Sequence, residues 1–277
     1  MADNTDFSML NFNDAQKWSK HVQTTGLSDD KFKNKEGFAY LNAIFFDRHK
    51  KYFRDKLIQR SLYFIIPAVA AIVFFAINPF VDNFESSRST FEHIFRYSPA
   101  FFFLIYLFTM GKFVTASVFS NCDIQMLNYP YYRTRETIIA SFKSRFAVTL
   151  KYGLVLTTVM AVSILAAVAV AFRGMDFTYA GVFIVLLTSM GVLFAFNDLF
   201  LYYIMQPYDS DGKSTVVAYK LINIVIYFIA IMNYQVSFNA GLNLFIYTTV
   251  MCSVTVIYLI VGVFLLQSLA PKNFRLK

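Results

Sequence analysis

Long apolar runs recur along this chain, separated by short polar stretches. A helix needs about 20 predominantly apolar residues to cross the hydrocarbon core of a bilayer. Six stretches meet that length: 61–80, 98–119, 147–172, 178–205, 216–238 and 242–266. Ahead of the first span the pattern changes. Phe38, Leu41, Ile44, Phe45, Tyr52 and Phe53 recur near helical spacing, with Arg48, Lys50, Lys51, Arg54 and Lys56 between them. That pattern predicts a basic amphipathic helix over 36–60, lying on the membrane surface with Phe38, Leu41, Phe45, Arg48, Lys51 and Tyr52 at the interface. The same helix could instead pack on the polar arm that precedes it at 1–35. The expected organisation is therefore an arm (1–35), an interfacial helix (36–60), an all-α membrane domain of six spans (61–269) and a tail (270–277). A polar segment at 120–146 interrupts the membrane domain.

Composition supports lipid as the solvent. Charged residues make up 15% of the 277 residues and hydrophobic ones 57%, against about 25% and about 45–50% in soluble domains. The charge is also unevenly placed. With both termini in the cytoplasm, 22 Lys and Arg fall on the inner side and three, Arg88, Arg96 and Arg173, fall outside. The positive-inside rule selects that orientation, which makes this a multi-pass protein of the cell membrane. The net charge of +8 then reflects basic segments facing an anionic leaflet and calls for no nucleic acid. No basic-then-apolar leader opens the chain, so the first span is expected to act as its own insertion signal.

Catalytic chemistry is absent from the pattern. There is no Gly-rich phosphate loop with Lys, no paired carboxylate within a span and no HExxH. Cys122 and Cys252 are far apart and suggest neither a disulfide framework nor a metal site. Asp47, His49 and Asp55 sit among basic residues, where salt bridging is the expected role; His21 and His93 stand alone. The chain is read as a non-enzyme, with no cofactor or metal of its own. Within the spans, Lys112 and Lys220 can snorkel to the inner interface. Asn197 and Asp198 fall near the inner end of the fourth span, where Asp198 can pair with a basic residue; an alternative is an ion-coupled carrier that uses it. Asn223 and Asn233 are expected to join helices, and Gly153, Thr157 and Ala161 to permit close packing.

The interruption itself reads NCDIQMLNYPYYRTRE, 121–136. Asp123 is expected to cap a short helix carrying Ile124, Met126 and Leu127. Pro130 ends that turn, and Thr134 or Thr137 caps the helix that follows. Tyr129, Tyr131, Tyr132, Arg133 and Arg135 then form an exposed corner. Tyr and Arg are enriched at interface hot spots, and they also anchor in headgroup layers. Sequence physics leaves both roles open.

These features resemble the type-2 ABC exporter permeases, in which a short helical link between the second and third spans carries an acidic residue, a Leu pair, Pro, Arg, an Ile pair and Lys. The matching residues here are Asp123, Met126-Leu127, Pro130, Arg133, Ile138-Ile139 and Lys143, while Asn121-Cys122-Asp123 departs from the usual Gly-Thr-Leu-Glu. LNAIFFDRHKK (41–51), NCDIQMLNYPYYR (121–133), YYIMQPY (202–208) and APKNFRLK (270–277) are similar to stretches in the ABC exporter membrane proteins of Gram-positive bacteria. Those proteins often join two such modules, and this chain is most like the second. The resemblance implies a separate ATP-binding-cassette ATPase that carries ATP and Mg, a coupling helix at 123–135, and a second permease module as a homodimer or heterodimer partner. It suits an amphipathic cargo such as a peptide or lipid. The alternative is a scaffold or sensor that holds a cytosolic partner through the same loop.

Overall fold

The computed structural model describes Phe32 and residues 34–78, 95–208, 216–239 and 243–275. Most of the arm at 1–35 and of the 81–97 loop lies outside these, as do His21, Arg88, His93, Lys213 and residues 276–277. Every regular element among the described residues is helical: α1 (Gly37–Arg48), α2 (Lys50–Ile77), α3 (Ala100–Phe108), α4 (Gly111–Val118), α5 (Arg135–Ala171), α6 (Phe177–Met205), α7 (Val217–Asn239) and α8 (Leu244–Asn273). Among the described residues, six helical stretches are long and apolar enough to cross a membrane, the second running from α3 through α4 to Met126. This is a multi-pass architecture, as the pattern of apolar runs predicts.

Helix α6 is the central strut. Inside the protein lies 56% of its apolar window, against 6% for α2 and 6% for α7, so α2 and α7 present most of their apolar surface outward. Helices α5 and α8 pack along α6, α2 packs on α5, and α7 packs on α3. Two cores fill the two ends of the bundle. Phe102, Phe183, Leu187, Met190 and Met251 belong to the end where α6 begins. Phe119, Leu127, Tyr132, Phe142, Tyr203 and Phe274 belong to the end where it finishes. Tight α5–α6 packing depends on the small-residue stripe. A Cβ on Gly191 would meet Thr157 Cγ2 at 2.8 Å, and one on Gly153 would sit 3.7 Å from Ala195 Cβ.

Two boundaries differ from the sequence pattern, that of the helix before the first span and that of the tail. The helix expected over 36–60 is divided at His49, and residues 50–60 belong to the first spanning helix. The joint is held from within. His49 Nδ1–H donates to the Phe45 carbonyl at 2.8 Å, and the ring stacks on Phe45 at 4.3 Å. Burial holds its pKa below the usual histidine value, so His49 is part of the packing rather than of a surface salt-bridge network. Arg54 does meet Asp55 at 3.7 Å. Phe45 and Tyr52, read as interfacial, are buried with Phe53, Val114 and Val118; Phe38 and Leu41 are half-buried, while Arg48 and Lys51 are exposed.

Helix α5 begins at Arg135, where the Thr134 cap places it, and runs unbroken into the span read from 147. Its 37 residues span about 56 Å at 1.5 Å per residue, well beyond a hydrocarbon core of about 30 Å. The excess lies at its start, where the polar sequence is. Similarly, the tail expected from residue 270 is helical to Asn273, and Phe274 is buried against Tyr203 at 4.7 Å and Tyr202 at 5.5 Å.

Candidate functional site

The interrupting segment forms a compact elbow between α4 and α5. Helix α4 runs on as a π turn, Phe119–Asp123, and one more helical turn, Ile124–Met126. A π turn holds one extra residue and shifts the register beyond it by about 100°. Tyr129 is extended, as a residue before Pro must be, and Pro130–Arg133 make a 3-10 turn. Thr134 then caps α5, accepting from the Thr137 amide at 3.5 Å. The Thr134 and Thr137 hydroxyls also donate to the Tyr131 carbonyl, both at 3.2 Å.

Asp123 does not cap. Its side chain makes no cap hydrogen bond and is wholly buried, because it faces Arg145, ten residues into α5. The pair is bidentate: Arg145 Nη1 reaches Asp123 Oδ2 at 2.6 Å and Nη2 reaches Oδ1 at 2.7 Å. Both side chains have no exposed surface. Burying two charges costs several kcal/mol per ion unless the remaining hydrogen-bond capacity is filled, and here it is filled. Arg145 Nε donates to Asn42 Oδ1 at 2.8 Å, Nη1 also donates to Tyr203 Oη at 2.9 Å, and Nη2 also donates to Tyr132 Oη at 2.8 Å. All five guanidinium N–H groups therefore have acceptors. Asp123 accepts in addition from Tyr132 Oη at 2.7 Å and from Tyr202 Oη at 2.5 Å. Burial pushes the Tyr132 phenol well above its ordinary range, so it stays a neutral donor.

This network ties the elbow to α1 through Asn42, to α5 through Arg145 and to α6 through Tyr202 and Tyr203. The sequence pattern points to Asp123 and the elbow but misses Arg145, Asn42, Tyr202 and Tyr203. It also places Tyr132 on the exposed corner, whereas the ring is 2% exposed; the reason is the hydroxyl's two partners inside. Leu127 is likewise buried in the core at this end, with half-buried Met126 packed against it. What remains outward is narrower than the sequence suggests. Tyr129 and Tyr131 are each 52% exposed and stack at 5.6 Å. Phe38 of α1 lies 6.4 Å from Tyr131 and 5.4 Å from Tyr132. Arg133 is half-buried and Lys143 exposed, and exposed Arg135 donates to Gln267 of α8 at 2.7 Å.

A second polar feature lies at the break between α3 and α4. Thr109 is extended there (φ −53°, ψ 140°), which leaves the last carbonyls of α3 without helical partners. Arg60 of α2 supplies them, donating to Thr109 O at 2.6 Å and to Leu107 O at 3.4 Å. The Thr109 hydroxyl donates to Asp198 Oδ2 at 2.7 Å. Asp198 is thus a buried clamp on a broken span, with Lys112 and Arg60 supplying nearby positive charge. Lys112 Nζ itself lies over the Tyr106 ring, 4.6 Å from its centroid. A narrow apolar cavity against the break is walled by Phe64, Phe108, Gly153, Leu156, Gly191 and Phe194. Two of the asparagines join α8 to its neighbours through their side chains, and the third does not. Asn197 accepts from Tyr258 of α8 at 2.8 Å and Asn233 accepts from Tyr247 of α8 at 3.0 Å, while Asn223 donates back to Tyr219 in its own helix at 2.9 Å.

Neither a protein family, nor a curated protein, nor a solved structure matches the chain.

Proposed function

We propose that this chain is the permease subunit of an ABC exporter and that its elbow, residues 120–135, is the docking point for a cytoplasmic ATP-binding-cassette ATPase. The observation that carries this reading is the two-sided character of the elbow. Its outer side offers stacked Tyr129 and Tyr131 with Arg133, residue types common at hot spots. Its inner side is bonded to α5 and α6 through Asp123 and Tyr132, and Arg145 extends the network to α1 through Asn42. A push on the tyrosines is therefore carried into α5 and α6 rather than absorbed in a loop. The lysine and arginine distribution supports an orientation in which this end, both termini and α1 lie on the cytoplasmic side of a cell membrane. ATP and Mg belong to the ATPase, a second permease module completes the pathway, and an amphipathic peptide or lipid-like molecule is the cargo.

The test is co-purification of the tagged chain with ATPase activity from its own membranes. Tyr131→Ala with Arg133→Glu removes two outward side chains and leaves the buried network whole. Loss of one hot spot is worth about 2 kcal/mol, or about 30-fold in affinity. The expected result is loss of associated ATP hydrolysis with an unchanged thermal midpoint. Undiminished association and hydrolysis would overturn the assignment. A scaffold that uses the same surface would lose a partner without any change in ATP hydrolysis.

A further inference from the structure

Helix α2 is continuous from Lys50 to Ile77, so its charged start and its apolar length share one set of faces. Lys51, Arg54, Ile58, Leu62, Ile65 and Val69 follow one another at three- and four-residue steps. At 100° per residue they fall on a single stripe. All six are exposed. Arg48 and Lys50 add exposed positive charge at the stripe's head, where the nearest opposing carboxylate on the helix is Asp55, 3.7 Å from Arg54. From Ile58 to Val69 the stripe rises about 16 Å, half of a hydrocarbon core of about 30 Å.

We infer that this stripe is a binding site for an anionic phospholipid, with the headgroup phosphate at Lys51 and Arg54 and an acyl chain along Ile58 to Val69. The dimensions are those of one leaflet, and positive side chains give way to apolar ones at the point where a phosphate ends and hydrocarbon begins. The chief competing occupant is a second copy of this chain. A two-fold contact presents the same patch from both sides, so Lys51 and Arg54 would face their own counterparts, and like charges at close range oppose it. The inference rests on the six-span architecture and not on the ABC reading.

The experiment is native mass spectrometry of the full chain released from detergent micelles doped with phosphatidylglycerol or with phosphatidylcholine of the same acyl chains. Each cation near the surface is worth about fivefold in attraction to anionic lipid. The intact protein is expected to retain phosphatidylglycerol preferentially, and Lys51→Ala with Arg54→Ala to lose about 25-fold of that preference. Lys151→Ala, an exposed cation elsewhere on α5, is expected to keep it. Higher salt in the micelle buffer should weaken retention of phosphatidylglycerol only. Equal retention of the two lipids, an unchanged preference in the double variant, or a dimer that shields the stripe would overturn the inference.

Discussion

Replacing Arg145 with methionine is expected to destabilise the protein by about 3–5 kcal/mol, the usual cost of removing one partner of a buried ion pair. The reason lies in what remains. Asp123 stays fully buried, still accepting from the Tyr132 and Tyr202 hydroxyls but with no cation. Asn42 and Tyr203 lose their donor as well. Adding Asp123→Leu to the same chain removes the stranded charge. Because replacing a whole buried pair by apolar residues is often close to neutral, the double variant is expected to recover part of the loss. Thermal unfolding of the detergent-solubilised variants measures both. A lysine at 145 should fall between them, since a single ammonium has three donors where the guanidinium has five. If Arg145→Met melts with the parent, the elbow is not held by this pair.

Gly111→Ala is expected to cost about 1–3 kcal/mol through overpacking. A Cβ at Gly111 would lie 2.4 Å from both the Cβ and Oδ2 of Asp198. The obstructing Cβ is fixed to α6, and Oδ2 is the atom that accepts from Thr109. Relief therefore requires α4 to move off α6 or the Thr109–Asp198 bond to break. Gly181→Ala is the matched control. It lies in the same α6 helix, with nothing within 4 Å of its would-be Cβ, and alanine is the better helix former by about 1 kcal/mol. The two glycine substitutions should thus shift the thermal midpoint in opposite directions, by about 2–4 °C for each kcal/mol.

The spanning helices were legible because lipid imposes length and hydropathy on them. The fourth span, 178–205, differs from α6 (Phe177–Met205) by one residue. What hydropathy could not locate was the helix outside the lipid. The first twelve residues of α5 were legible only through the Thr134 cap, while the last turn of α8 reads as a polar tail and is shown as structure by Phe274 packing on Tyr203. The break at Thr109 was equally hidden, because it lies inside an apolar run and is sustained by Arg60 and Asp198, residues 49 and 89 positions away in the chain. At the elbow, Pro130 and Thr134 act locally, and their effects could be read from spacing. Asp123 looked like a cap for the same local reason. Its real partner is 22 residues on, and no periodicity links the two. Tyr132 shares its 3-10 turn with exposed Tyr131 and follows exposed Tyr129, and no spacing shows that it alone turns inward.

On the proposed function, the outward tyrosines of the elbow meet an ATPase. Site-specific photo-crosslinking at Tyr131 tests it most directly, with a benzoyl-phenylalanine in place of the tyrosine in living cells. Half the natural ring is exposed, and its backbone is pinned by Thr134 and Thr137, so the probe reports the neighbour of a fixed point. The predicted result is one adduct with an ATP-binding-cassette protein, lost when Arg133→Glu is added. Adducts with lipid alone would contradict the account and make the elbow a membrane anchor.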